Sequence, residues 1–404
     1  MKKVMFYFSM LFSIICLSLS LLNAQNINLY CSSMYNPDAN PDHAKMLFMK
    51  LNPITASATV IDTLTPVKGI STGSTTYDHS CHHYIFEGGN ELGSNSLFVL
   101  DTNGTILSDI PYINNVLGFQ YDMKNQALYS LFIGSLSTFS LIIFNPDNGN
   151  ITQVNTLNNV SSIGTVTFNS NTGKYIFVGD DNSSINRLYV INAQNGIIES
   201  SGALGVGDLS MLQYDNNANK LYGLYKNNNV NPYLFYFSEI DTLTAGITII
   251  DSLDEISGVS STSSVYDQAT SSYIFSGGDT SGVERLYVIN SITGKIISKS
   301  PIDVSVGEIE CDNTKYALNK YHSTDVKNII PTADNCLIYP NPVTAYLQIQ
   351  TALQIKNVEI TDITGKLLYA TNAKTIDCNN FAKGVYFIRV TTEKGVAVKK
   401  FVKE

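Results

Sequence analysis

Apolar and polar positions between Gly164 and Gly196 change their rhythm in a way that marks out three strands. Thr165 to Phe168 alternates polar with apolar, Asn171-Thr172-Gly173 interrupts it, Lys174 to Val178 runs apolar, and Arg187 to Ile191 runs apolar again until Asn195-Gly196. The same succession recurs along the chain. A short strand ends in an aromatic residue followed by Asp or Asn at Tyr77-Asp78, Tyr121-Asp122, Phe168-Asn169, Tyr214-Asp215 and Tyr266-Asp267, and in degenerate form at Cys311-Asp312. The spacings between these steps are 44, 47, 46, 52 and 45 residues.

Each step is followed by an aromatic-rich second strand, seen at Tyr84-Ile85-Phe86, Leu128-Tyr129, Tyr175-Ile176-Phe177, Leu221-Tyr222, Tyr273-Ile274-Phe275 and Tyr316-Ala317-Leu318. Third strands follow in the first five units. Four of them end in Asn-Gly or Thr-Gly, at Gly104, Gly149, Gly196 and Gly294, where glycine supplies the positive φ of a tight hairpin. Alternate copies resemble each other most, as in YIFEGG from Tyr84, YIFVGD from Tyr175 and YIFSGG from Tyr273.

A four-stranded unit repeating every 40–50 residues or so predicts an all-β chain folded as a β-propeller, a fold of roughly 4–8 blades. Five units are complete, and the leftover pieces complement each other. Asn28-Leu29-Tyr30 reads as a second strand, the segments near Phe48 and Ile61 as a third and fourth, and Gly307 to Asp312 as a first. Six blades, one of them closed by strands from both ends, is the expectation. The surplus second strand around Tyr316 leaves seven open.

Residues 1–24 read as a secretory signal peptide. Lys2 and Lys3 precede an apolar run from Val4 to about Leu22, with Asn23-Ala24 before Gln25, and no second run has membrane length. The propeller is expected over residues 25–322, a linker around Pro331 over 323–335, and a second, smaller domain over 336–404. A content of 44% hydrophobic against 15% charged residues excludes disorder. Residues 25–331 hold 14 basic against 28 acidic residues, which argues against nucleic acid or an anionic surface as partner.

Of the six cysteines, Cys16 lies in the leader, and none of the others has CxxC spacing. An exported chain favours disulfides. Closure of one blade by both chain ends places Cys31 and Cys311 on adjacent strands, so a bridge between them is expected; Cys336 and Cys378 are the second pair, and Cys81 is left free.

From Cys336 the sequence becomes a compact run of short strands. Tyr339-Pro340-Asn341-Pro342 opens it, Leu347 and Ile349 follow, then Val358, Ile360, Asp362 and the turn Gly365-Lys366. Gly384-Val385-Tyr386-Phe387-Ile388-Arg389-Val390 comes next and Lys399-Lys400-Phe401 closes the run. In order and spacing, this tail resembles the type A C-terminal sorting domain of the type IX secretion system of Bacteroidetes. Paired prolines at the entrance and alternating apolar positions in both longer strands suit a small two-sheet sandwich. The resemblance implies passage across the inner membrane by signal peptide and across the outer membrane by the type IX machinery. It further implies removal of the domain, with the cargo either released or attached to surface lipopolysaccharide.

One dense polar cluster invites metal chemistry: Asp78-His79-Ser80-Cys81-His82-His83 holds three of the five histidines, the others being His43 and His322. It occupies the turn between first and second strands, so a variant hairpin loop is the preferred reading and no metal is expected. Turns such as Asn145-Pro146-Asp147-Asn148-Gly149 lack the oxygen series of a calcium loop, and Gly88-Gly89 and Gly277-Gly278 precede no helix that would cradle phosphate. There is no GxSxG or HExxH, and no Trp. The expected function is therefore a secreted or surface-displayed binding module, with no catalytic or cofactor-binding residue identified. The rivals are an extracellular propeller hydrolase or lyase acting on glycans or peptides, and a self-associating surface component.

Overall fold

The computed structural model describes residues 27–36, 45–111, 115–135, 138–146, 148–230, 233–304, 306–321, 336–351, 353–363, 366–392 and 395–404. The signal peptide, the linker, His43, Asp147, His322 and Gly365 lie outside these residues. The chain divides into two compact units at Tyr321/His322.

In the first unit every sheet has four antiparallel strands. Sheet 1 comprises β1 (Leu29–Tyr35), β2 (Lys45–Leu51) and β3 (Ala58–Leu64). Sheet 2 is β4 (Val67–Asp78), β5 (His83–Asn90), β6 (Asn95–Leu100) and β7 (Ile106–Pro111); sheet 3 is β8 (Val116–Asp122), β9 (Ala127–Ile133), β10 (Phe139–Phe144) and β11 (Ile151–Leu157). Sheet 4 is β12 (Val166–Asn169), β13 (Lys174–Asp180), β14 (Asn186–Asn192) and β15 (Ile198–Ala203); sheet 5 is β16 (Asp208–Asp215), β17 (Lys220–Asn227), β18 (Leu234–Ile240) and β19 (Ile247–Ser252). Sheet 6 is β20 (Ile256–Asp267), β21 (Ser272–Asp279), β22 (Glu284–Asn290) and β23 (Ile296–Pro301). The last strand, β24 (Ile309–Cys311), pairs with β1 and supplies the first strand of sheet 1. The first strands touch in the order β4, β8, β12, β16, β20, β24 and back to β4, a closed ring.

The recurring Asp or Asn that ends each first strand has one local job. Its side-chain oxygen accepts N–H bonds from the turn that follows: Asp78 from Ser80 and Cys81, Asp122 from Lys124 and Asn125, Asn169 from Asn171 and Thr172, Asp215 from Asn217 and Ala218, Asp267 from Thr270. At the other hairpin, Gly104, Gly149, Gly196 and Gly294 all have positive φ, as the turn chemistry requires.

Two expectations are corrected here. Tyr316-Ala317-Leu318 is not a strand; it lies in helix α1 (Thr314–Tyr321), begun by the Asp312 carboxylate accepting the Thr314 N–H at 3.0 Å and by the Asn313 carbonyl accepting the Ala317 N–H. With that segment helical, the surplus strand disappears and six four-stranded sheets remain. Cys31 and Cys311 do lie on adjacent strands, but the register sets Cys31 against Ile309 and Cys311 against Leu29. Two residues out of step, both thiols are free and packed in the apolar core. Cys336 and Cys378 are also free, buried in the core of the second unit, and Cys81 is free like the other four described cysteines.

The second unit has two sheets. One is built from β25 (Leu337–Tyr339), β26 (Tyr346–Gln350) and β29 (Thr375–Asp377); the other from β27 (Ile355–Thr361), β28 (Leu367–Thr371), β30 (Gly384–Thr392) and β31 (Gly395–Lys403). Leu347, Ile349 and Ile376 of the first sheet meet Val358, Ile360, Ile388, Val390 and Phe401 of the second in one buried core, the expected sandwich. Among the described residues, no helix is long and apolar enough to cross a membrane.

Candidate functional site

The ring of first strands surrounds a cavity of about 650 Å³. Hydroxyl and amide side chains, among them Thr76, Thr167, Ser210, Gln120, Gln213 and Gln268, line it together with apolar ones such as Leu117, Val166, Leu212 and Val265. Side chains and main chains of neighbouring sheets are knitted across this wall. The Gln213 amide donates to the Ser264 carbonyl at 2.8 Å, the Leu212 N–H to Thr165 Oγ1 at 2.8 Å, and Ser263 Oγ to the Gly307 carbonyl at 2.7 Å.

At the mouth formed by the turns between first and second strands, a collar of hydrogen bonds runs from sheet to sheet. In five of the six turns the residue after the capping Asp or Asn offers its N–H to the side chain at the same position of the next sheet. Met123 donates to Ser170 Oγ (3.0 Å), Ser170 to Asn216 Oδ1 (2.9 Å), Asn216 to Gln268 Oε1 (2.9 Å), Gln268 to Asn313 Oδ1 (2.8 Å) and Asn313 to His79 Nδ1 (3.2 Å). The sixth position is Met123, whose thioether stands where the other five supply oxygen or nitrogen. Sequence reading missed this collar because its members are five different residue types; the signal was their fixed place, one residue after the strand-ending Asp or Asn.

His79 thus belongs to the collar rather than to a metal cluster. It packs between the rings of Tyr77 and Tyr121, and burial pushes its imidazole down to about 4, consistent with an unprotonated Nδ1 that accepts from Asn313. His82 turns away to Asp312 (3.2 Å). Helix α1 lies across this same mouth: Ala317 packs on Tyr121 and Met123, Lys320 donates to the Asn216 carbonyl, and the Tyr321 hydroxyl donates to Asn171 Oδ1 at 2.8 Å.

Besides Asp208 of β16, the acidic groups lining the cavity come from β24 and the residue before it. Glu308 accepts the Gly73 N–H at 2.9 Å, and Glu310 accepts the Thr75 hydroxyl at 2.7 Å. Desolvation, aided by the neighbouring Glu308 and opposed by the Thr75 hydrogen bond, raises the Glu310 carboxyl to about 8. Near neutral pH it carries its proton, so the pair holds less charge than its composition suggests.

In the second unit, the residues singled out from sequence fall into two groups. Tyr386, Val390 and Phe401 are core, with Tyr386 stacked on Phe401 at 5.6 Å and bonded through its hydroxyl to the Ala382 carbonyl. Asn341 acts as a piece of strand. Its Oδ1 accepts the Val402 N–H (2.9 Å) and its Nδ2 donates to the Lys400 carbonyl (3.1 Å), tying the Tyr339-Pro340-Asn341-Pro342 entrance to β31. Asp362 accepts the Lys366 N–H and closes the β27–β28 turn. Tyr339, Lys366, Gly384, Val385, Arg389 and Lys400 are exposed.

Residues 337–404 match the family described as the secretion system C-terminal sorting domain. No curated protein sequence matches the chain. Among solved structures, TolB from Acinetobacter baumannii superposes with a TM-score of 0.51 at 9% identity over 70% of this chain, which spans 66% of TolB, just under two thirds of its length. The nidogen/laminin complex contains a chain that superposes with a TM-score of 0.50 at 9% identity, covering 72% of this chain and 99% of that one. At such identity the likeness concerns the fold alone, and the fold is that of a β-propeller.

Proposed function

We propose that this is a six-bladed propeller exported through the type IX secretion system, and that outside the cell it works as a binding or interaction protein. Export rests on the sorting-domain match at residues 337–404. Signal-peptide removal near Ala24 and release from, or attachment to, the cell surface belong to the same proposal. The binding reading rests on one observation: a cavity of mixed polar and apolar lining, whose polar groups in part bond neighbouring sheets, is crossed at one mouth by α1. Ligand access is therefore assigned to the other mouth, the end at which the first strands begin, where Asp208 at the start of β16 and Glu308 just before β24 belong to the cavity lining. The related fold in the nidogen/laminin complex was solved with a protein partner.

The rival reading, a hydrolase or lyase, rests on Glu308 and Glu310, one protonated carboxyl beside a second acidic group. Both are engaged by β4, Glu308 by Gly73 within its bulge and Glu310 by Thr75, which favours a structural role.

The test expresses the full chain, and the chain lacking 337–404, in a type IX-competent bacterium and in the same strain without the system. The intact chain is expected outside the cell only in the competent strain, and the truncated chain in the periplasm of both. Export that survives truncation overturns the reading. Glycan and peptide substrates incubated with the exported protein separate the two activities: turnover abolished by Glu310→Gln gives the enzyme, and saturable binding without turnover gives the module.

A further inference from the structure

The turn between β4 and β5 departs from its counterparts in side chains but not in backbone. Positive φ occurs at the same position in five turns, at His82 (59°), Gln126 (55°), Gly173 (65°), Asn219 (56°) and Ser271 (55°). On that common frame, the residue before it is Asn125, Thr172, Ala218 or Thr270 elsewhere and Cys81 here. The residue after it is Ala127, Lys174, Lys220 or Ser272 elsewhere and His83 here. Asn125 and Thr270 spend their side chains on hydrogen bonds to the turn's own aspartate. Cys81 occupies that place with a soft donor, and His83 adds a nitrogen where two other turns carry a lysine that would repel a cation.

We infer that Asp78, Cys81 and His83 form a surface site for a divalent transition metal of zinc's chemistry. A carboxylate oxygen, a sulfur and an imidazole nitrogen from these residues lie within 4.8 Å of one another; among the described residues no other group of three or more His, Cys, Asp or Glu converges in this way. Ligand atoms around a tetrahedral zinc stand roughly 3.4–3.6 Å apart, given bonds of about 2.0–2.3 Å, so the site closes by side-chain rotation of about an ångström. The exposed Cys81, held only by a long contact from Ser80 Oγ to its sulfur (3.5 Å), and the half-buried His83 can supply it, while Asp78 is buried and held. Its Oδ1 accepts from Ser80 N–H and Oγ (both 2.7 Å) and from the Cys81 N–H (3.3 Å), the outer-shell support that orients a ligating carboxylate. Three protein ligands leave the fourth position to water. Binding converts the Cys81 thiol to thiolate and passes its proton to solvent. His82, turned to Asp312, takes no part.

The experiment titrates the reduced full chain with Co²⁺ and then displaces it with Zn²⁺, reading the thiolate-to-cobalt charge-transfer band and the visible bands of tetrahedral cobalt. One equivalent is expected to bind, with release of about one proton where the thiol is still protonated. Cys81→Ser should abolish the charge-transfer band. Cys81→Ser and His83→Ala should each weaken Zn²⁺ at least as much as loss of an outer-shell partner, roughly 10–100-fold. His82→Ala should change nothing. Absence of the band, or a band that survives Cys81→Ser, or His83→Ala binding as tightly as the parent, overturns the proposal. Both substitutions are at solvent-accessible side chains, and circular dichroism of the free proteins separates loss of the site from loss of the fold.

Discussion

The six junctions between sheets are of two kinds, and they alternate. Where sheets 1 and 2, 3 and 4, and 5 and 6 meet, the contact is aromatic: Tyr30 stacks on Tyr77 (5.7 Å), Tyr129 on Phe168 (5.3 Å) and Tyr222 on Tyr266 (6.1 Å). At the same three junctions, Tyr84 sends its hydroxyl to the backbone carbonyl of Glu308, just before β24, and Tyr175 and Tyr273 send theirs to Gly118 and Met211 in the neighbouring first strands. The other three junctions are richer in aliphatic side chains, with Ile85, Val99 and Leu128 beside the Phe119–Phe144 pair at one, Ile176, Val190 and Leu221 beside Tyr214 at the next, and Ile274, Val288 and Leu29 at the last. The difference is written in the second strands. Sheets 2, 4 and 6 read Tyr-Ile-Phe-x-Gly, whereas sheets 1, 3 and 5 begin with Leu-Tyr and carry a small third residue, at Cys31, Ser130 and Gly223. Moving the tyrosine by one position turns it to the opposite face of its strand, so one swap inverts which junction is aromatic. The working repeat is therefore a pair of sheets, used three times.

The fifth residue of the second strand gives the harshest way to break this pattern. A Cβ on Gly179 would stand 2.2 Å from the Ser162 carbonyl oxygen, on Gly88 2.3 Å from that of Gly69, and on Gly277 2.7 Å from that of Gly258. In each case backbone has to move. Gly179→Ala is expected to cost about 3 kcal/mol, the upper end of ordinary overpacking, read as a lowered denaturation midpoint. Ser33→Ala, at the same place in sheet 1, should cost under about 1 kcal/mol. Equal losses at the two positions would show that the alternation has no energetic content.

Much of this was legible beforehand, and the part that was not has a physical reason. Period-2 alternation, the Asp or Asn step and the Gly-containing hairpins repeat locally, so sequence alone located the strands of the propeller and their closure by both ends. The likeness of Tyr84, Tyr175 and Tyr273 to each other was also visible. What their hydroxyls reach was not, since Glu308, Gly118 and Met211 lie 57 to 224 residues away and share only a backbone carbonyl. Helix α1 was misread because Tyr316-Ala317-Leu318 imitates a second strand, while the helix-starting Asp312 and Asn313 came disguised as the usual strand end. The cysteine bridge failed on register, which a three-residue closing strand leaves open to sequence reading. In the tail, Asn341 was flagged by resemblance, and its bonds to Lys400 and Val402 give a structural reason for it.

A milder probe separates the tyrosines that bind across a junction from one that does not. Tyr175→Phe removes the donor to the Gly118 carbonyl deep in the wall, and about 1–2 kcal/mol should be lost. Tyr287 is as fully buried, stacked on Phe275 at 5.0 Å, yet its hydroxyl has no hydrogen-bond partner. Tyr287→Phe is expected to leave stability unchanged or slightly raised, because an unsatisfied buried hydroxyl is removed with the ring contact kept. Paired urea melts of the two variants decide it; a larger loss at Tyr287 would refute the assignment of the hydroxyl bonds as the element that distinguishes these junctions.

The gentlest test lies in the closing sheet, where a carboxyl stands in the place that an amide takes elsewhere. In sheet 5, Gln213 reaches across the aromatic junction to Ser264; in sheet 1, Glu310 reaches to Thr75 from the corresponding position. The amide is neutral at every pH, and the carboxyl is held neutral by its surroundings, with its titration moved from the ordinary 4.5 up to about 8. The folded protein then keeps a proton that the unfolded chain has already released. Stability from this group is fully present below 4.5 and is lost as pH rises from there through about 8. Glu310→Gln makes sheet 1 match sheet 5, so it should flatten the fall in melting temperature across that window while changing little at the acid end. Identical slopes for the parent and the variant would mean that Glu310 is ionised in the wall, and sheet 1 would then be a charged exception to the threefold pattern rather than a variant of it.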